Sequence, residues 1–269
     1  MSEFRLGFIG AGNMGEAIIN GALLKDVLPS QNINIYDVSR ERLIYIGETY
    51  RVNACLSMEE LIEKSDIIIL AIKPQVAEEV LPHLASLCAG KAVISIMAGW
   101  TLARYAKFLG ESVRFLRVMP NTPAMCGEGM SALSAENTLQ QAELAFSERL
   151  FSALGEVEFI PEKYFDAVTA ISGSGPSYMM LILEAMTSGG VQCGLSAPIA
   201  KKLAIQTMLG SAQLAKQSDT HPAILRDAIS SPGGTTIEAL KALELHGVRG
   251  AFIAAVEACA QKSKLLSEQ

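Results

Sequence analysis

Gly10-Ala11-Gly12-Asn13-Met14-Gly15 sits between an apolar run, Leu6-Gly7-Phe8-Ile9, and a segment that begins Glu16-Ala17-Ile18-Ile19. The string G-x-G-x-x-G occurs in many chains. Between a strand and a helix it becomes a dinucleotide-binding fingerprint. Gly10 permits the tight turn, Gly12 lets the backbone approach a pyrophosphate, and Gly15 lets the helix pack on the strand. Asn13 and Met14 open the helix, whose N-terminus supplies a positive field to the phosphates. A purely structural glycine turn is the alternative.

The alternation continues through the first 160 residues. Apolar runs at 5–9, 33–36, 67–71, 92–97 and 113–118 are separated by helix-period segments such as 14–25, 40–50, 76–87 and 102–109. Strand, helix, strand at this spacing predicts a parallel sheet with helices on both faces, because strands covered on both sides are apolar almost without interruption. The expectation is an α/β Rossmann-type doubly wound sheet over residues 1–161. Ligands bind beyond the carboxyl ends of such strands. That position brings in Ala71, Lys73 and Pro74 after the third run, Ala98 after the fourth and Asn121 after the fifth. Lys73 can face a phosphate or ribose, or be a solvated lysine before a proline turn. Asn121 can line the cleft or only shape the turn Met119-Pro120-Asn121-Thr122-Pro123.

Asp37 lies 22 residues past Gly15, where an acid binds a ribose 2′-hydroxyl and repels a 2′-phosphate. Ser39 and Arg40 beside it are suited to hold that phosphate instead. The signals conflict. A hydroxyl and an arginine converging on one loop favour NADP(H), with NAD(H) as the alternative. Asp37 can also serve only as a cap for the helix at 40–50.

Beyond Pro161 no further strand pattern occurs. Helix-period segments follow at 162–171, 176–193, 197–217, 222–229, 235–245 and 248–266, several of them apolar on more than one face. Such helices need a partner to bury against. The expectation is an all-α C-terminal dimerisation domain over residues 162–269. The pair Gly189-Gly190 suits either a close helix–helix approach or a helix break. Within this half lies Ser230-Ser231-Pro232-Gly233-Gly234-Thr235-Thr236-Ile237-Glu238-Ala239-Leu240. Two glycines, two hydroxyl residues and a helix start make a second anion cradle, built from Ser231, Gly233, Gly234 and Thr235. The alternative is an ordinary helix start with Thr235 as its cap.

Bulk properties narrow the partners. Hydrophobic residues make up 50% of the chain and mean hydropathy is +0.30. Yet the densest run, Ile67-Ile68-Ile69-Leu70-Ala71-Ile72, stops at Lys73-Pro74, far short of the roughly 20 residues a membrane span requires. Buried strands and an oligomer interface account for the apolar content. The net charge of −6, without a basic run, argues against nucleic acid. Five scattered cysteines without C-x-x-C spacing fit reduced thiols in a cytoplasm and offer no metal set. The start of the chain, with Glu3 and a glycine-rich segment, lacks a basic n-region and a cleavage site, so no signal peptide is expected.

IGAGNMG, AIKPQ, SIMAG, RVMPNTPA, AISGSGPSY and SSPGGTTIEAL occur in this order from Leu6 to Lys264. Together they resemble the pyrroline-5-carboxylate reductases, which make proline. The resemblance implies hydride transfer from NAD(P)H to the cyclic imine of 1-pyrroline-5-carboxylate. It also implies a homodimer through the helical domain, with further assembly occurring in the family. It places the substrate carboxylate in the loop of Ser231, Gly233, Gly234 and Thr235, and gives Thr236 the hydrogen bond to the ring nitrogen. A protonated iminium is already electron-poor, so orientation matters more than a strong general acid. The three histidines, His83, His221 and His246, form no recognisable triad, in keeping with that chemistry. Ser172-Gly173-Ser174-Gly175-Pro176 and Thr169 fall near the active site of the resembled family.

Two rivals remain. A 3-hydroxyacid dehydrogenase of the wider superfamily would carry a lysine where this chain has Met179, and alcohol oxidation would then lack its base. A non-catalytic nucleotide-binding protein would have no use for the second cradle with Thr235 and Thr236.

Overall fold

The computed structural model describes residues 4–267. Glu3 and the outermost residues of both expected domains, 1–3 and 268–269, lie outside the described residues. The chain divides into two compact units. One holds the residues up to Ser174 and those from Cys259 onward; the other is Gly175–Ala258.

The first unit is built on an eight-stranded sheet in the order β3-β2-β1-β4-β5-β6-β7-β8. The strands are β1 (Leu6–Ile9), β2 (Ile33–Tyr36), β3 (Asn53–Ala54), β4 (Ile67–Leu70), β5 (Ala92–Ser95), β6 (Arg114–Met119), β7 (Gly129–Ser134) and β8 (Gly155–Ile160). Strands β1 to β6 pair in parallel, β6 with β7 antiparallel, and β7 with β8 in parallel. Every residue of β1, β4 and β5 is buried. Each fully buried isoleucine or leucine there contributes roughly 1.5–3 kcal/mol. Helices cover the sheet: α1 (Asn13–Leu24), α2 (Arg40–Tyr50), α3 (Met58–Glu63), α4 (Ala77–Leu87), α5 (Leu102–Leu109) and α6 (Gln141–Ser152). Two separate apolar clusters lie against it, one around Phe8, Ile18, Ile35 and Phe151, the other around Ile68, Leu81, Trp100 and Tyr105. The doubly wound α/β sheet read from the sequence is therefore present.

The structure adds three strands that the apolar runs do not mark. Strand β3 has two residues. Strand β8, Gly155-Glu156-Val157-Glu158-Phe159-Ile160, alternates half-buried and exposed positions at its start, so one face only is covered and the run is not continuously apolar. Strand β7 is buried, but its Gly-Met-Ser-Ala-Leu-Ser sequence is too small and polar to stand out.

After β8 the chain is helical. A short α7 (Phe165–Val168) runs into a π-helical turn at Thr169–Gly173. Then come α8 (Gly175–Gln192), α9 (Ala197–Lys216), α10 (Pro222–Ala228), α11 (Thr235–Leu245) and α12 (Val248–Ser267). Gly189 and Gly190 do not break α8. A Cβ on Gly190 would lie 2.9 Å from the Ala200 Cβ, so close approach of α8 and α9 is what this position requires.

Candidate active site

The glycine loop lies where sheet order reverses, between β1 and β4. Gly10 has φ +96°, and a Cβ there would lie 2.5 Å from the carbonyl oxygen of Ala71. The loops after β1 and β4 thus pack backbone to backbone. A Cβ on Gly15 would lie 2.8 Å from the carbonyl oxygen of Gly10, the close helix–strand contact the motif predicts. Gly12 differs. Its φ is −68°, it is the N-cap of α1 without a side-chain cap bond, and nothing lies within 4 Å of a Cβ built on it. Its missing side chain leaves open space above an uncapped helix N-terminus, the shape and field that suit a pyrophosphate.

Around this loop the sequence-derived residues are distributed as follows. Asn13 is exposed and Met14 is half-buried at the first turn of α1. Ser39 and Arg40 are exposed at the start of α2, and Lys73 is exposed beside the half-buried Ala71 and Pro74. Pro74 and Ala98 line one cavity of about 840 Å³, together with Trp100, Arg104, Thr169 and Ser174. Sequence reasoning missed Trp100 and Arg104, although Trp100 directly follows the SIMAG motif and Arg104 lies one turn further on. Another cavity, about 480 Å³ and mainly apolar, lies between α5 and the start of β6; none of the predicted site residues lines it.

Asp37 does not cap α2. Ser39 does, its hydroxyl accepting from the amide of Arg42 at 3.3 Å. Asp37 instead accepts from the amide of Ala11 at 2.7 Å and from that of Ser39 at 2.8 Å. Asn121, largely buried, uses both ends of its amide within the fold. It accepts from the Met130 amide at 2.8 Å and donates to the Ser172 carbonyl at 3.0 Å.

The second cradle lies in the other unit. α10 ends at Ala228, and Ser230 Oγ donates back to the carbonyl of Arg226 at 3.0 Å. Gly233 has φ +66°, a left-handed turn that favours glycine. The Gly234 amide donates to the Ser231 carbonyl at 3.1 Å, and a Cβ on Gly234 would collide with Ser231 Oγ. The N-cap of α11 is Gly234, with no side-chain cap bond. Thr235 is therefore the first helical residue and not the cap. The first-turn amides stay free of side-chain acceptors beside the exposed Ser231 and the half-buried Thr236.

Among the described residues no group of three or more His, Cys, Asp or Glu could hold a metal ion, and no helix is long and apolar enough to cross a membrane.

Residues 162–266 match the family model for pyrroline-5-carboxylate reductase dimerisation, and residues 5–99 match that for NADP oxidoreductase, coenzyme F420-dependent. The chain is 41% identical over 267 residues to the pyrroline-5-carboxylate reductase of Synechocystis, covering 99% of this chain and 100% of that one. It is 40% identical to the enzyme of that name from Arabidopsis thaliana, covering 99% and 96%. The crystal structure of Plasmodium falciparum pyrroline carboxylate reductase with NADP bound superposes with a TM-score of 0.91, at 34% identity and 99% coverage of both chains.

Proposed function

The chain belongs to the pyrroline-5-carboxylate reductase family, and we propose from that premise how its own residues divide the reaction. The protein is an NADP(H)-dependent oxidoreductase of proline biosynthesis, reducing the C=N bond of 1-pyrroline-5-carboxylate to L-proline.

Bound NADPH supplies the hydride. The loop Gly10 to Gly15 takes the pyrophosphate, with Asn13 and Met14 contributing first-turn amides of α1. Ser39 and Arg40 meet the 2′-phosphate. The exposure of both, and the inward engagement of Asp37 by two amides, support NADPH as the preferred form. Ala71, Lys73, Pro74 and Ala98 border the nicotinamide half, and Asn121 shapes the turn behind it.

The substrate carboxylate is held by Ser231, Gly233, Gly234 and Thr235. The observation that carries this assignment is the N-terminus of α11, capped by a glycine and by no side chain. A helix start with free amides and no acceptor of its own stabilises a carboxylate. Thr236 hydrogen-bonds the ring nitrogen. Hydride adds to the imine carbon, the C=N electron pair moves onto nitrogen, and the proton already on the iminium stays there as the amine N–H. No further acid is needed.

The dimerisation model covers the helical half, and α8 and α9 leave Leu181 and Leu203 more than half exposed. We read this surface as the homodimer contact, which larger assemblies can build on, and place the enzyme in the cytoplasm.

The experiment is oxidation of NADPH and NADH by the purified protein with 1-pyrroline-5-carboxylate, at neutral pH. Imine-dependent oxidation, faster with NADPH, is expected, and Thr236→Ala should lower kcat on the order of 10-fold, the worth of one hydrogen bond to a charged group. A fully active Thr236→Ala would remove Thr236 from the reaction. A protein that binds NADPH but does not oxidise it with the imine would overturn the substrate assignment.

A further inference from the structure

We propose that Asp37 and Arg42 are positioning residues that grip Ala11 from its two sides and preset the glycine loop for the nucleotide, with Arg42 also cancelling the charge of Glu16 beneath the phosphates. The proposal rests on the dinucleotide reading of that loop.

A loop of glycines has little conformational preference of its own. Here its backbone is tied at Gly10 and Ala11. The Gly10 amide donates to the carbonyl of Tyr36 at 2.8 Å. The Ala11 amide donates to Asp37 Oδ2 at 2.7 Å, and the Ala11 carbonyl accepts from Arg42 Nε at 2.5 Å. Asp37 and Arg42 are themselves linked through Ser39, whose amide donates to Asp37 and whose hydroxyl accepts from the Arg42 amide. Ala11 is thus fixed between two charged side chains, both from the segment following β2. Beyond it α1 starts at Gly12 without a side-chain cap, with open space where a Cβ would lie.

Charge gives the second half. Glu16 stands in the first turn of α1. A carboxylate there weakens the positive field that an anion needs. Arg42 pairs with one of its oxygens, and the Tyr50 hydroxyl donates to the other at 2.9 Å. Burial, followed by the bond to Glu16, pushes the Tyr50 hydroxyl up to about 12, so it remains a donor at any working pH. Asp37, facing two amides, is committed to the loop. Arg40 is exposed and makes no ion pair among the described residues, leaving its charge for the nucleotide.

The test is titration of NADPH and of NADH onto the purified protein without imine, followed by nucleotide fluorescence, with circular dichroism melts of every variant. Asp37→Asn and Arg42→Gln should each weaken both nucleotides by a similar factor, on the order of 10-fold. In turnover, KM for both should rise more than kcat falls. Glu16→Gln combined with Arg42→Gln should regain part of the affinity lost by Arg42→Gln alone, because the uncancelled carboxylate is gone. If Arg42→Gln does not fold, Arg42→Lys serves: it keeps the charge but cannot reach Ala11 and Glu16 together, and should still weaken both nucleotides. An Asp37→Asn protein that tightens on NADPH while losing NADH would make Asp37 a ribose discriminator and overturn its clamp role. Full nucleotide affinity in Arg42→Lys and Arg42→Gln, or no recovery in the double variant, would overturn the role of Arg42. Wild-type protein that binds neither nucleotide would overturn the dinucleotide reading itself, an outcome distinct from failure of the clamp.

Discussion

Asn121 donates from Nδ2 to the carbonyl of Ser172 at 3.0 Å, joining the end of β6 to the π-helical turn at Thr169–Gly173. Its Oδ1 meanwhile holds the amide of Met130, next to the start of β7. One side chain therefore fixes three segments, and Thr169 and Ser174, at the two ends of the π turn, line the cavity that Ala98 borders. π-helical turns recur at functional sites because they re-aim side chains within a helix.

Asn121→Ala leaves a donor and an acceptor without partners in a largely buried place. A loss of about 1–3 kcal/mol is expected, read by urea denaturation, with kcat falling as the turn loosens. Asn121→Asp keeps the Met130 bond but sets a carboxylate against the Ser172 carbonyl, and should be no better. Unchanged stability in both would show that the link carries little.

Two glycines of the same loop should respond differently. Gly10→Ala puts a Cβ at φ +96° and 2.5 Å from the Ala71 carbonyl oxygen. It should destabilise the nucleotide-free protein by more than ~1 kcal/mol. At Gly12 a Cβ meets nothing within 4 Å, at an ordinary φ, so Gly12→Val starts into open space. Its nucleotide-free melting should move little, by no more than about 1 kcal/mol, while NADPH affinity collapses. Equal effects on melting would contradict the assignment of the open space to the pyrophosphate.

Acid stability depends on Glu143 and Arg114. Burial pushes the Glu143 carboxyl up, but the fork of Arg114 and the Gln140 amide more than offset it, and the net direction is down. A carboxyl lowered in the folded state contributes stability above its unfolded pKa, near 4.5, and loses it as pH falls through the lower folded value. Wild-type protein should therefore weaken below about pH 4.5. Glu143→Gln should be less stable at pH 7 by about 2 kcal/mol and show a shallower acid decline. Thermal melts from pH 3 to 7 read both slopes; parallel curves would exclude Glu143 as a contributor.

The exposed apolar surface of α8 and α9 predicts the oligomeric state. Leu181 and Leu203 are 66% and 54% exposed. Light scattering coupled to size exclusion should find the wild type at least dimeric. Leu181→Glu and Leu203→Glu should shift it toward monomer, with helical content retained. Variants that stay fully assembled would move the interface to another face.

The sequence carried the C-terminal helices with little error. Residues 197–217, 222–229 and 235–245 fall within a residue of α9, α10 and α11, since their ends are marked by Pro, Gly and polar residues that cannot continue a helix. The sheet was legible where both faces are covered. It was not legible at β7 and β8, where small residues or one-sided burial erase the apolar run. Arg42 and Glu16 escaped notice because no local pattern joins residues 26 apart.

The sequence by itself determined the glycine loop between strand and helix and the helix that follows the Ser-Pro-Gly-Gly segment, because these follow from local backbone freedom and from periodicity; that Gly234 and not Thr235 caps α11 was decided by the folded backbone. Only the tertiary structure decided what Asp37, Ser39, Arg42 and Asn121 do. Each has several chemically reasonable partners along the chain. The choice among them depends on which amide or carboxylate the folded sheet brings within about 3 Å, a distance that no spacing in sequence encodes.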